Sequence, residues 1–364
     1  MPTPLLIGSC EPFSGKSALV LGLARQLMRQ GVAVAFGKPL ATCPEGMPAG
    51  ESPAVDADVL FIGATLGLPP EQLIASVDRL EPGSAHRRLL DGDLTPGAGL
   101  ETLQEHLATA AAADHQVLLE AAGSLSEGLL YGLSLVPLAR TLQAPVLLVH
   151  PWGDSRSVDG LLEARCQLGD LLAGVVLNAV DPEAVPALNG EVAPALERLG
   201  LPVLGVMPRS PLLRSVTVEE LARRLEAKVL CCQERLDLLV ETLSIGAMNV
   251  NSAMEFFRRR RNMAVVTGGD RTDIQLAALE ASTQCLILTG AGEPLPQLIS
   301  RAEELEVPVL KVDHDTLTTV EVIEAAIGHV RLNETVKATY AIRLVEEHCR
   351  FNRLFERLKL PVRA

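Results

Sequence analysis

The sequence predicts an α/β protein: an open, mostly parallel sheet with helices on both faces behind a phosphate loop (P-loop), followed by a second, smaller α/β domain. Three observations predict it. Short apolar runs recur through the first 210 residues and are continuous rather than alternating, the pattern of strands buried on both faces. Helical stretches separate these runs, which is the alternation that builds a parallel sheet. A loop ending Ser14-Gly15-Lys16-Ser17 joins the first run to the first helix.

In chain order, Leu5-Leu6-Ile7 reads as the first strand, and residues 17–30 carry Leu19, Val20, Leu23, Ala24 and Leu27 at helical spacing. Further strands are expected at Val32–Phe36, Val117–Leu119, Val146–Val149, Val175–Leu177 and Val203–Val206. Residues 41–55 and 91–99, rich in Pro, Gly and small residues, read as loops. Pro208-Arg209-Ser210-Pro211 ends the last strand, and a charged helix follows from Val218 to about Lys228. A new alternation then starts, with strands at Val265–Thr267, Leu286–Leu288 and Pro308–Val312 and helices at Ile274–Leu279 and Leu298–Leu305. The expected organisation is therefore a nucleotide-binding domain over 1–228, a second domain over 235–330 and a C-terminal helix within 331–364. In that tail Val336, Tyr340, Leu344, His348 and Phe351 recur at helical spacing among mixed charges, as on a surface or interface helix.

A formal charge of −13 argues against nonspecific binding to nucleic acid or acidic membranes. No run approaches the length of a membrane helix, and the first residues lack the basic start of a signal peptide. Seven cysteines show no metal-type or Cys-x-x-Cys spacing, so they are expected as reduced thiols in a cytoplasmic protein. Aromatic residues make up only 3%, so the core is expected to be Leu, Val, Ile and Ala.

The loop carries the chemistry. After a strand, its backbone N–H groups and the following helix dipole cradle phosphate oxygens, Lys16 adds charge at the outer phosphates, and the Ser17 hydroxyl ligates magnesium. Glu11, Ser14, Gly15 and Ala18 belong to the same cradle. The spacing is unusual: six residues separate Gly8 from Gly15, and Cys10 stands where a standard loop has its first glycine. Open parallel sheets bind ligands outside the carboxyl ends of their strands. Glu120, at the end of an apolar run, is placed to meet Ser17 there around one metal ion.

These features resemble the dethiobiotin synthetase-like domain at the N-terminus of long phosphate acetyltransferases. The loop ending Gly15-Lys16-Ser17, Lys38-Pro39, Glu120-Ala121-Ala122-Gly123, and Asn178 followed by Pro202–Pro208 carry the resemblance over residues 1–210. It implies ATP and Mg2+ as ligands, with Ser17, Asp58 and Glu120 on the metal and Asn178 and Pro208 on the nucleotide. Asp56 is the other candidate metal carboxylate, and it also reads as a helix N-cap; Asn178 also reads as a strand-ending turn. Lys16 and Lys38 are the candidate catalytic groups. In dethiobiotin synthetases the lysine matching Lys38 works on the substrate carboxylate and the transferred phosphate; a solvated strand cap is the other reading. Glu127 departs from the family by bringing negative charge where an anionic substrate would lie.

Residues 235–330 resemble the DRTGG domain through Ile245–Met248, Thr267–Asp273, Leu288-Thr289-Gly290 and Asp315–Thr319. Asp270-Arg271-Thr272 is kept, but Gly268-Gly269 precede it instead of following. Asp270 or Thr272 reads as a cap of the helix that follows, and Arg271 as a group that reaches an anion or a partner; the run Arg258–Arg261 at a helix end reads as a solvated end or as an anion or partner patch. By the resemblance a phosphate acetyltransferase carries a catalytic domain after this module. The sequence runs only to Ala364, so transferase activity is not expected. The function expected first is an ATP- and magnesium-binding regulatory or scaffold protein. An ATP-dependent carboxylate-activating enzyme and an accessory subunit of a separate catalytic chain are the alternatives. Homologous folds commonly pair, so a dimer is expected.

Overall fold

The computed structural model describes residues 3–42, 55–92, 98–110, 115–246 and 249–360. Most of the two expected loops at 41–55 and 91–99, and Ala247-Met248 of the second domain, lie outside the described residues.

The chain divides into two compact units, one of residues 1–209 with 332–364 and one of 210–331. The division falls before the boundary expected at 228–235. Local pairing explains this: Val216–Thr217 forms a short antiparallel ladder with Leu239–Val240, and Val216, Val218 and Leu221 join the core of the second unit.

In the first unit a seven-stranded sheet has the order β4-β2-β6-β1-β7-β8-β9, and every pairing in it is parallel. The strands are β1 (Leu5–Gly8), β2 (Val34–Gly37), β4 (Leu73–Ile74), β6 (Gln116–Glu120), β7 (Val146–Pro151), β8 (Leu172–Val180) and β9 (Val203–Pro208). A two-stranded ladder, β3 (Leu40–Thr42) with β5 (Asp78–Leu80), lies beside it. Strands β1, β2 and β6 are buried at every position, as a sheet covered on both faces requires. The chain runs from β1 towards one edge, returns to place β6 beside β1, then continues on the other side with β7. This reversal of strand order opens the crevice at the carboxyl ends of β1, β6 and β7 where such sheets hold ligands.

The tail is two helices, Thr335–His348 and Asn352–Arg357, rather than one, and the first of them packs as an interface helix. Both belong to the first unit. Ala338, Ala341, Val345, Phe351, Leu354 and Phe355 are buried, and Cys349 makes an antiparallel bridge to Gly205 of β9. Of the positions seen at helical spacing, Leu344 and Phe351 are buried, while Val336 is exposed and Tyr340 and His348 are half-buried.

The second unit holds a five-stranded sheet of order β11-β16-β15-β14-β13, beside the β10 (Val216–Thr217) and β12 (Leu239–Val240) ladder. Strands β13 (Thr242–Ile245), β14 (Met263–Gly268), β15 (Thr283–Thr289) and β16 (Val309–Lys311) run parallel, and β11 (Lys228–Cys231) closes one edge antiparallel to β16. No helix among the described residues is long and apolar enough to cross a membrane.

Candidate functional site

The loop after β1 enters the helix Lys16–Arg29 through Gly15, whose φ of 98° lies in the left-handed region. A Cβ there would stand 2.3 Å from Asn178 Nδ2, so only glycine fits both the backbone and the space. Phe13, at the tip of the loop, also has positive φ (53°) and is exposed. A non-glycine residue held in this conformation signals local strain, which clusters at ligand sites.

The carboxyl ends of five strands supply the rest. Lys16 is buried, and its Nζ donates to Ser9 Oγ at 3.0 Å and to the Gly123 carbonyl at 3.4 Å. Burial lowers its pKa, against the raising effect of Glu120 and in concert with Lys38, so the ammonium is poorly compensated by the protein alone. Ser17 Oγ donates to Glu120 Oε1 at 3.1 Å. Lys38, from the end of β2, is buried between two carboxylates, Asp58 Oδ2 and Glu120 Oε1, the latter at 3.3 Å. Burial would lower its pKa, but Glu120 and Asp58 outweigh it and hold the ammonium charged. Lys38 is thus an internal ion-pair partner and not a solvated strand cap. Asp56 accepts from the Asp58 N–H at 2.7 Å as N-cap of the helix Ala57–Leu66 and its charge also acts on Lys38, while Asp58 pairs with Lys38 directly.

Asn178 Nδ2 donates to the Ser14 carbonyl at 2.7 Å, tying the end of β8 to the phosphate loop. Pro208 ends β9 on the same edge of the sheet, Glu11 is exposed on the loop, and Ala18 is buried in the first turn of the helix. Two residues joined to the loop, Ser9 and His150, were not singled out from sequence. Ser9, fully buried, has its Oγ 2.7 Å from the Gly123 carbonyl and 2.8 Å from the Glu11 carbonyl and accepts from Lys16. His150, buried at the end of β7, lies 3.0 Å through Nε2 from the Ser157 carbonyl and 3.9 Å through Nδ1 from Glu11 Oε1; burial lowers its pKa. Cys10 packs near His150 and lies 3.3 Å through Sγ from the Gly160 carbonyl. Its pKa is pushed up to about 12 by burial and then by Glu11, so it is an inert thiol. The signal that could have found Ser9 and His150 is their place just past an apolar strand, where polar residues face the crevice.

Three buried polar atoms of the site find no hydrogen-bond partner among the described residues: Ser14 Oγ in the loop, Glu120 Oε2 and His150 Nδ1, and the first two are oxygens. Buried polar groups are ordinarily paired. A phosphate and a hard divalent cation are the guests these oxygens suit, since a cation such as Mg2+ takes oxygen ligands from hydroxyls, one or two carboxylates and phosphates. The described residues contain no group of three or more His, Cys, Asp and Glu poised as a protein-only metal cage.

Residues 3–217 match the model of an AAA domain family, and residues 220–326 match the DRTGG domain. The ATP-dependent dethiobiotin synthetase BioD of Pseudomonas aeruginosa is 35% identical, over 54% of this chain and 85% of its own length. The phosphate acetyltransferase of Nitratidesulfovibrio vulgaris is 26% identical over 98% of this chain, and that of Synechocystis is 25% identical over 99%. The chain spans about half the length of these two transferases, 52% of each. By a match that covers more than half of its residues, the chain belongs to this AAA domain family, with a dethiobiotin synthetase-like P-loop domain followed by a DRTGG domain.

Proposed function

We propose that the protein binds ATP with Mg2+ in its first domain and serves as a nucleotide-responsive regulatory protein. The observation that carries the reading is the pair of unpaired buried oxygens, Ser14 Oγ and Glu120 Oε2, together with a buried and poorly compensated Lys16. In this reading Lys16 and the N–H groups of the loop hold the phosphates, and Glu11, Gly15 and Ala18 complete the cradle. Ser17 and Glu120 hold the metal, and Asp58 joins them when the Lys38 ammonium turns to the phosphates. The metal would neutralise phosphate charge. Asn178 fixes the loop and accepts from the base amino group, and Pro208 borders the base.

Sensing is favoured over turnover by Glu127, whose carboxylate already occupies the Gly123 N–H beside the phosphate loop. The DRTGG domain would then carry the response to a protein partner. The test is titration of the purified chain with ATP and magnesium by calorimetry, with phosphate release followed in parallel. Binding without turnover supports sensing, and binding lost in Lys16→Ala assigns it to the loop. A native chain that binds neither ATP nor ADP overturns the reading.

A further inference from the structure

The turn that follows β6 forms the outer end of the phosphate site, and a carboxylate of the chain itself is seated there. The Gly123 N–H donates to Glu127 Oε2. Gly123 abuts the phosphate loop: its carbonyl accepts from Lys16, and a Cβ on it would stand 2.4 Å from Glu127 Oε2 and 3.1 Å from Pro12 Cβ. Glu127 does not hang on a free segment. Its own N–H donates to Ser124 Oγ at 3.2 Å, and the Leu129 N–H to the Ser126 carbonyl at 3.1 Å. Gly128, next in the chain, has φ of 94°, and a Cβ there would stand 3.0 Å from Leu40 Cδ2 and 3.2 Å from the Leu133 carbonyl oxygen, so the turn is packed in place. The charge of Glu127 also acts on Lys16, opposing the lowering that burial imposes.

A phosphate loop holds the inner phosphates on its own N–H groups, with its lysine reaching to the last of them. The terminal phosphate of a triphosphate projects past that lysine, where switch loops of nucleotide-binding proteins take hold of it. A carboxylate and a phosphate are equivalent guests for a backbone N–H, since both offer only anionic acceptor oxygens. They cannot share one donor without opposing each other.

We infer that Glu127 is a built-in occupant of the terminal-phosphate position, and that the site takes a nucleoside diphosphate in preference to a triphosphate. The inference rests on the nucleotide reading of the first domain. A diphosphate meets Lys16 and the loop with Glu127 still in place. A triphosphate has to expel Glu127 from Gly123, which breaks the 123–128 turn. The site thereby reports the charge state of the nucleotide.

The experiment is calorimetric titration of the full chain with ADP and with ATP, each with magnesium, for the native protein, Glu127→Gln, Glu127→Ala and Lys16→Ala. Melting curves check that each variant is folded. The expected result is ADP binding at least about tenfold tighter than ATP in the native chain, and a ratio reduced by about tenfold or more in the Glu127 variants, through tighter ATP binding. Gln keeps an acceptor on the Gly123 N–H without the charge, so a change in Gln and Ala alike assigns the preference to charge, and a change in Ala alone assigns it to occupancy. Equal affinities in the native chain, or an unchanged ratio in both variants, overturn the inference and leave the nucleotide reading standing. Failure of both nucleotides to bind the native chain overturns both.

Discussion

Ser17 and Glu120 lie 103 positions apart and meet at 3.1 Å, because parallel pairing sets Ile7 opposite Glu120 just before the chain turns into the phosphate loop. Glu120 is therefore shared: one oxygen serves Ser17 and Lys38, and the other is unpaired. Glu120→Gln keeps the shape and removes the charge. It should weaken the magnesium-dependent part of nucleotide affinity by about tenfold or more, the scale of losing a charged partner at a desolvated site. Titrations with and without magnesium read this directly. An unchanged magnesium effect would remove Glu120 from the metal.

Lys38 stands between Asp58 and Glu120 as the only cation that the described contacts place on both. Removing one partner of a buried ion pair leaves uncompensated charge and costs about 3–5 kcal/mol. Lys38→Met should therefore destabilise the first unit by that order, and millimolar Mg2+ should recover part of the loss by taking the ammonium's place. The magnesium-dependent rise in melting temperature should be larger in the variant than in the native chain. Equal rises would show that the two carboxylates do not form a cation site.

The two lysines should separate with pH. Lys16 has a folded pKa below the ordinary 10.5, chiefly from burial, while the carboxylates hold that of Lys38 above it. A bound phosphate favours the charged form of Lys16, so binding is strongest while Lys16 is protonated and weakens as pH rises through its lowered pKa. Lys38 behaves in the opposite sense. Its contribution to stability is fully present below 10.5 and is lost only as pH rises through its raised folded pKa. On alkaline titration nucleotide affinity should fall before the fold does, with proton uptake on binding in that window. Calorimetry in buffers of different ionisation enthalpy measures the uptake, and circular dichroism follows the fold. Loss of fold and affinity together would contradict the assignment.

Local pattern explains which parts of this architecture were readable. Strands β1, β6, β7, β8 and β9 are apolar on both faces, so their composition announced them, and the loop residues from Ser14 to Ser17 carried their chemistry in their order. The two-residue β4 and the polar β13, Thr242-Leu243-Ser244-Ile245, exist because neighbours pair with them, and no local run marks them. The same holds in the site. Glu120 was visible at a strand end, but its sharing between Ser17 and Lys38 is set by register between separate strands. Ser9 and His150 are ordinary polar residues until the strand order brings them to one crevice. The tail's apolar spacing marked a helix without saying which surface it covers.

That surface yields a last prediction, at Gly22. The helix Lys16–Arg29 packs against the helix Thr335–His348, and a Cβ on Gly22 would stand 2.3 Å from Val345 Cβ and 2.4 Å from its Cγ1. Alanine at 22 would gain roughly 1 kcal/mol in helix propensity. Overpacking of a rigid interface opposes it with about 1–3 kcal/mol, and contact this close with the stiff, β-branched Val345 side chain puts the cost at the upper end. Gly22→Ala should therefore lower the stability of the first unit, and because the same helix carries Lys16 and Ser17 it should weaken nucleotide binding as well. Val345→Ala in the same chain removes the two Cγ contacts but keeps Cβ, so it should restore part of both losses. Denaturant unfolding with nucleotide titration of the single and double variants measures the coupling. Additive effects would mean that the two helices do not meet at Gly22, and that the tail does not set the position of the phosphate loop's helix.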